Sequence, residues 1–558
     1  MAKMVHIFFV CMMVAALSVP LFAQSSFLDP TFGMDGRALA NIAGGDSDGD
    51  VGSAMAIQID GKIVVAGSSS GGSSYSAFAV ARFNPDGSLD DAFGIGGTAR
   101  AYIAGSDSAD DKGYAVAIQP DGKIVVAGES EDTSNNETFR RFALARFNSN
   151  GTLDNTFGTG GTVRDSVTGG GNTDVGRAIA LLPDGKIIVA GYSIQNNSFG
   201  LGPPVLAVAR FNSNGSIDRT FGSDGSIQVP QFVTSSRCSI AVQPDGKIVC
   251  AGTALVNQNA VPVAFSVARL DSNGTIDNTF GSSGMAYTFI AGGDSTVDMG
   301  YSVALETDGK IVVAGLSGGT IPSPTGNTSI AVVRFNPDGT PDKTFGTNGT
   351  VSFSPTGPDS TYAAAHSVAI QSDGKIIVAG QAGYFTPVSF AVVRFDSDGT
   401  VDRTFGSGGI ALADSFTAED VEDVANAVAI QSDGKIVAAG NSSGYIVGGA
   451  FAVARFLPSN ATAITKVNPV PMSFALYQNY PNPFNPTTEI RYQISEVIRV
   501  SLKVYDILGR EVTTLVNEKQ NPGSYSVTFD GSRLASGIYF YRLVAGSYSA
   551  TKKLVFMK

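Results

Sequence analysis

The sequence has no tryptophan, two histidines and three cysteines in 558 residues, and only 15% of it is charged. That leaves too little imidazole and sulfur for a zinc or iron site built on a Cys/His cluster, and too few thiols for a disulfide framework. Basic residues are in deficit, with 37 Lys and Arg against 49 Asp and Glu, a formal charge of −12. A surface of that sign repels phosphate backbones and anionic lipid, which argues against nucleic-acid and membrane-surface partners. Past the N-terminus no run reaches the ~18 apolar residues of a membrane span. Gly, at 67 residues, and apolar side chains, at 43%, are plentiful, which marks a packed, turn-rich chain rather than a disordered one.

At the N-terminus, Lys3 precedes an apolar run from Val5 to Leu17, and Leu21-Phe22-Ala23 ends on a small residue. This reads as a secretory signal peptide over residues 1–23, too short for a span. Cys11 has no lipobox-like small residues before it. Removal of the segment takes His6 and Cys11 and leaves His366, Cys238 and Cys250. If strands 238–243 and 247–252 pair around Asp245-Gly246, Cys250 faces Ala241 and the two thiols fall on opposite faces, as buried small hydrophobes rather than a bridge.

Asp-Gly-Lys-Ile, followed by a short apolar run and Ala-Gly, recurs seven times, with its Asp at 60, 121, 184, 245, 308, 373 and 433. Ala/Val-Arg-Phe/Leu recurs with Arg82, Arg146, Arg210, Arg269, Arg334, Arg394 and Arg455. Asp-x-(Thr/Ala)-Phe-Gly recurs around Phe32, Phe93, Phe157, Phe221, Phe280, Phe345 and Phe405. A period near sixty residues means a propeller, solenoid or array. In the second repeat the strands are expected near Tyr114–Gln119, Lys123–Gly128, Phe142–Phe147 and Gly161–Val167, with Asp121-Gly122 as a hairpin turn. Strands apolar on both faces need cover on both, as in stacked blades. The chain opens with the end of a repeat, Phe27–Gly33, and the repeat region stops at a third strand, Phe451–Phe456. These fragments complete one another, which predicts an all-β ring of seven blades closed by its two ends. Six or eight blades, two rings and an open array are the alternatives.

Each unit pairs an Arg-Phe-Asn-x-Asp-Gly-(Ser/Thr)-Leu-Asp-x-Thr-Phe-Gly string with Asp-Gly-Lys-Ile-Val-Val-Ala-Gly. On those motifs residues 24–456 resemble the delta-60 repeat family, which implies a propeller-like fold and no defined activity. Residues 457–471, rich in Ser, Asn and Pro, read as a linker. The tail carries Tyr480-Pro481-Asn482-Pro483-Phe484-Asn485-Pro486, Val504-Tyr505-Asp506, Gly509-Arg510-Glu511-Val512 and Leu534–Tyr541, and ends Lys552–Lys558. Alternating strands such as Ser501–Tyr505 and Ile538–Leu543 suggest a small Ig-like β-sandwich. Residues 472–558 resemble the type A C-terminal sorting domain of the type IX secretion system. That resemblance implies passage through the periplasm to the surface or medium, with the secretion machinery as partner.

Candidate chemistry is sparse, and no catalytic or cofactor-binding residue is assigned. Gly-x-Ser-x-Gly at Gly67–Gly71, Gly315–Gly319 and Gly440–Gly444 lacks the following helix of a nucleophile elbow. His366, at the start of a strand, reads as a packed or surface residue. Asp46, Asp48 and Asp50 alternate as calcium ligands do. Val51 and Ile57, however, stand where an EF-hand needs Gly and Glu, so a loop-bound calcium ion is the only metal expectation. The Arg before each Phe calls for a carboxylate in an apolar strand, and Asp29, Asp90, Asp154, Asp218, Asp277, Asp342 and Asp402 recur at suitable positions. Asp50, Asp111, Asp174, Asp298 and Asp423 recur ahead of the Asp-Gly turns. Both sets read as scaffold. The 2–3 and 4–1 connections vary while the other two are short turns, so binding of a glycan or protein is expected on the variable face. The function reading is a secreted or cell-surface repeat protein with a non-catalytic binding or structural role and no transmembrane segment. A polysaccharide-acting hydrolase or lyase, or a surface-layer component, is the alternative.

Overall fold

The computed structural model describes residues 27–557 except 43–48, 71–74, 104–108, 135–136, 167–172, 198–199, 202, 234–236, 256–262, 291–296, 321–324, 356–361, 384–387, 414–415, 417–419, 445–448, 459–473, 480, 496, 521–522 and 547. The signal-peptide segment, most of the linker, and Asp46 and Asp48 lie outside the described residues. The chain divides into two compact units, Met1–Asn460 and Ala461–Lys558.

Seven four-stranded antiparallel blades make up the first unit. Blade 1 is Val51–Ile57, Ile63–Ser69, Ala77–Phe83 and Thr98–Ala101, and blade 2 is Asp111–Ile118, Ile124–Ser134, Glu137–Phe147 and Thr162–Asp165. Blades 3 to 6 begin with the innermost strands Thr173–Leu181, Ser239–Val242, Asp298–Leu305 and Tyr362–Ile370. Blade 7 contributes Asp420–Ile430, Ile436–Gly444 and Ala450–Phe456, and its outer strand is Arg37–Ala40 from the start of the chain. The second and third strands carry the apolar runs, and Ile63–Val65 and Ala77–Ala81 are fully buried. Each blade hands both faces to its neighbours, which explains strands without polar alternation. Between blades 1 and 7 the backbones come so close that a Cβ on Gly52 would sit 2.2 Å from the Gly440 carbonyl oxygen.

Two expectations needed correction. The 1–2 hairpins are not two-residue turns. In blade 4, Gln243 N–H donates to Lys247 O at 2.8 Å and Gly246 takes φ +85°, so three residues separate the ladder ends. The register therefore slips by one: Cys250 faces Ile240, and Val249 faces Ala241. Both thiols then share a face and one apolar cluster, buried and unbridged. The 2–3 connection of blade 2 is likewise no open loop. Its ladder continues through Glu131↔Arg140 and Thr133↔Thr138 to Ser134↔Glu137, and Arg140 holds Glu129 at 3.6 Å.

The second unit is a sandwich of a three-stranded sheet (Ala475–Leu476, Thr487–Ile494, Gly523–Asp530) and a four-stranded one (Glu511–Gln520, Ile498–Tyr505, Gly537–Ala545, Tyr548–Phe556). Alternate residues face inward, and Ile490, Tyr492, Leu502, Tyr541, Leu543 and Leu554 form its own core. Among the described residues no helix is long and apolar enough to cross a membrane.

Candidate functional site

Most of the recurring polar residues are consumed by the scaffold. In every blade the third-strand Arg donates from Nε to its Asp Oδ2, at 2.7–2.9 Å, from Arg82–Asp90 through Arg455–Asp29. Its Nη1 reaches a turn carbonyl of the following blade, at 2.5–2.6 Å for the acceptors Ser149, Ser213, Ser272, Pro337, Ser397 and Pro85. Arg394 does the same to Pro458. The guanidinium also lies over the blade's Phe ring, 4.5–4.8 Å from the centroid. Each buried charge is thereby paired, hydrogen-bonded and stacked, and each stitches one blade to the next.

The second recurring carboxylate is also structural. Asp50, Asp111 and Asp298 accept from the backbone N–H of Ile42, Ile103 and Ile290 at 2.7–2.9 Å. Asp50 is fully buried in that role. Among the described residues no group of three or more His, Cys, Asp or Glu could hold a metal ion. The three Gly-x-Ser-x-Gly segments begin inside second strands, and among the described residues no helix follows them.

One position of the repeat escapes this uniformity. Just before the constant (Ala/Ser)-(Met/Val/Ile)-Ala of the first strand stand Ser53, Tyr114, Arg177, Cys238, Tyr301, His366 and Asn426. In six of the blades this residue is the extra one of a β-bulge, as the register breaks at Gly52/Ala54, Gly113/Ala115, Gly176/Ala178, Gly300/Ser302, Ala365/Ser367 and Ala425/Ala427 show. A bulge re-aims its side chain and suspends pairing there. Blade 4 starts later, at Ser239, so Cys238 packs inward and Arg237 takes its place.

These side chains ring a central cavity of about 670 Å³ that also meets Tyr362, Gln381, Glu422 and Asn441. Arg237 reaches across from blade 4 to blade 7, with Nη2 3.4 Å from Asn426 Oδ1. Asn426 in turn donates to Gly52 O of blade 1 at 2.8 Å. Arg177 lies 3.7 Å over the Tyr114 ring, and Tyr114 Oη donates to Glu129 at 3.0 Å. Tyr301 stands between Arg237, 5.5 Å from its ring centroid, and His366, 5.9 Å away edge-on. His366 is 8% exposed, and its Nδ1 has no hydrogen-bond partner. Burial, and then the Arg237 guanidinium, hold its imidazole well below the usual range, so it is neutral at pH 7. Burial pushes the Tyr301 phenol up to about 12.

His366 thus sits inside the ring as a cavity residue. Tyr114, Arg177, Arg237, Tyr301, Tyr362, Glu422 and Asn426 were not singled out from sequence. All seven column positions were visible as variation at a fixed distance before each Asp-Gly, but only the bulge says which way they face, and Arg237 stands one residue ahead of the column.

The seven repeats match the domain of unknown function (DUF5122) β-propeller model at residues 58–93, 119–157, 182–221, 243–280, 306–345, 371–405 and 431–460. Residues 478–557 match the secretion system C-terminal sorting domain. The chain is a DUF5122 β-propeller repeat protein. Its sorting tail marks it for type IX secretion to the cell surface or extracellular space. None of the curated proteins is similar to it. Among solved structures, the polysaccharide lyase Uly1 is 12% identical with a TM-score of 0.40, over 78% of this chain and 98% of that one. A Penicillium chrysogenum α-L-arabinanase complexed with arabinobiose is 12% identical with a TM-score of 0.36, over 61% and 91%. A protein of unknown function from Dyadobacter fermentans gives 12% and 0.36, over 61% and 93%. Likeness at that level carries no weight for activity.

Proposed function

We propose that the exported propeller is a non-catalytic binding protein whose ligand, an extracellular glycan or protein segment, seats in the central cavity. The observation that carries this reading is the column Ser53, Tyr114, Arg177, Tyr301, His366 and Asn426. It varies freely inside a repeat whose scaffold positions hardly vary, and it lines a cavity within the usual size range for small ligands. A position that served packing alone would repeat as the Arg–Asp pairs do. The test replaces Tyr114, Arg177, Tyr301 and His366, one at a time, by Ser, which blade 1 already carries there. Binding to a glycan array falls while the melting temperature stays near wild type. Binding unchanged in all four variants refutes the proposal.

A second reading, a polysaccharide-acting enzyme, is favoured by one observation: the neutral, buried His366 beside Tyr301 in the cavity. Prolonged incubation followed by product analysis separates the two. Ligand recovered intact supports binding, and new reducing ends or unsaturated sugars assign an enzyme.

A further inference from the structure

The propeller holds seven buried scaffold arginines and, at its central cavity, two half-buried ones that differ from them in one respect. The seven scaffold arginines each meet an Asp carboxylate at 2.7–2.9 Å. Arg177 and Arg237 form no ion pair among the described residues, although both line the cavity. The polar contacts of Arg237 are with Asn426 Oδ1, at 3.4 and 3.5 Å. Arg177 rests on Tyr114 and its Nε has no hydrogen-bond partner. The two sit on adjacent blades, near enough for the charge of Arg177 to act on Arg237. Of the nearby carboxylates, Glu129 is engaged by Tyr114 and Arg140, and Glu422 is exposed. Two like charges, neither of them ion-paired, in a partly desolvated cavity are unfavourable to the empty protein. They are suited to a ligand that supplies the missing anionic oxygens.

We infer that the cavity takes an acidic saccharide, with Arg177 and Arg237 together holding its carboxylate or sulfate group. This rests on the cavity being the ligand site and adds the ligand's chemistry. Aromatic side chains around the pair, Tyr301 and Tyr362, offer ring faces for the apolar side of a sugar. The unpartnered His366 Nδ1, nine-tenths buried and at the cavity wall, accepts from a sugar hydroxyl in its neutral form. Gln381 and Asn441 add amide donors and acceptors at the same wall. A volume near 670 Å³ admits an oligosaccharide segment rather than a single small ion. The overall charge of −12 makes two uncompensated arginines in one cavity a local exception, not a reflection of composition.

The test is calorimetric titration of the mature chain with trigalacturonic acid, a sulfated galactose oligosaccharide and neutral maltotriose, at low and at 0.5 M salt. One of the acidic sugars binds, maltotriose binds far more weakly, and salt reduces the affinity. Arg177→Gln and Arg237→Gln each weaken binding by about tenfold or more, as loss of a charge-assisted contact does. Neither variant melts below wild type, because each relieves one of the two like charges; this confirms that the loss is not misfolding. The carboxylate and sulfate arms distinguish the two sources of anionic oxygen. Equal affinity for maltotriose, or indifference to both Gln variants, overturns the acidic-ligand inference and leaves the cavity as a site for a neutral ligand. Failure of every sugar to bind overturns it too, and the Ser series then decides independently whether the cavity is a site at all.

Discussion

Arg455 Nε donates to Asp29 Oδ2 at 2.9 Å although 426 residues separate them. Six other blades make this bond within one repeat, across eight residues. Here it joins the last strand of the ring to a turn near the start of the described residues. Around it, Asp29 N–H donates to Arg455 O at 2.8 Å, Leu457 N–H to Phe27 O at 2.8 Å, and Arg455 Nη1 to Pro85 O of blade 1 at 2.5 Å. The closure is thus the ordinary blade-to-blade stitch, made once from opposite ends of the sequence.

Removing that carboxylate leaves Arg455 and Lys435 facing each other without it. Asp29→Ala should therefore destabilise the propeller by about 3 kcal/mol or more, as loss of one partner of a buried ion pair does. Arg219→Ala removes the partner of Asp224 in an exposed pair and should cost less than about 1 kcal/mol. Urea denaturation followed by circular dichroism measures both. Equal, small effects would show that the seventh blade closes without this contact.

How much of this was legible in the sequence follows from the range of each signal. The strands, the Arg–Asp partnership and the ring closure rest on a motif written seven times, so each copy corrects the others. The facing of Cys238 and Cys250 depends on whether one turn holds two residues or three, and a single residue inverts the answer. The cavity residues were hidden for a related reason. His366 and Tyr301 occupy bulges, and alternation cannot say where a bulged side chain points. The long ribbon of blade 2 escaped because its charged and polar residues read as loop, whereas Arg140 pairs with Glu129 and Glu131 across it.

Acid should unfold the propeller cooperatively. Burial works against ionisation of Asp29, Asp90, Asp154, Asp218, Asp277, Asp342 and Asp402. Neighbouring hydroxyl and amide donors, Lys and Arg prevail and hold all seven below the ordinary 3.8, Asp342 at about 2. A depressed folded-state pKa gives stability that is complete above the unfolded value and lost as pH falls toward the folded one. The melting temperature should therefore change little on account of these groups between pH 5 and 8 and drop steeply below about pH 4. A flat profile down to pH 2.5 would contradict the ion-pair account.

His366 gives a direct probe, because it is the sole histidine once residues 1–23 are removed. Burial and Arg237 keep its pKa well below 6.5. Its imidazole proton resonances should stay unshifted from pH 8 down to pH 5.5 in the folded protein. In urea the same ring should titrate near 6.5. A folded-state midpoint above 6 would place the ring in solvent rather than at the cavity wall.

The thiols test the corrected register. Cys238 and Cys250 are both buried, and burial pushes the Cys238 thiol up to about 12 and that of Cys250 up as well. Neither should react with a chromogenic disulfide at pH 8 in the native mature chain, and both should react at once in guanidinium. One reactive thiol in the native protein would mean that Cys238 lies outside the apolar cluster it shares with Cys250.

Export separates from folding because the sandwich has a core of its own, built from Ile490, Leu502, Tyr541 and Leu554, with the compact propeller unit ending at Asn460. A chain stopped after residue 460 keeps every blade-closing contact, including Leu457 N–H to Phe27 O. It should fold, melt as the propeller does in the full chain, and accumulate in the periplasm. Residues 461–558 joined behind a folded reporter that carries a signal peptide should send the reporter to the surface or medium. Cell fractionation and protease shaving read both outcomes. Efficient surface delivery of the truncated propeller would mean that the sorting signal lies in the blades, whereas a truncated chain that fails to fold would show that the ring depends on its tail.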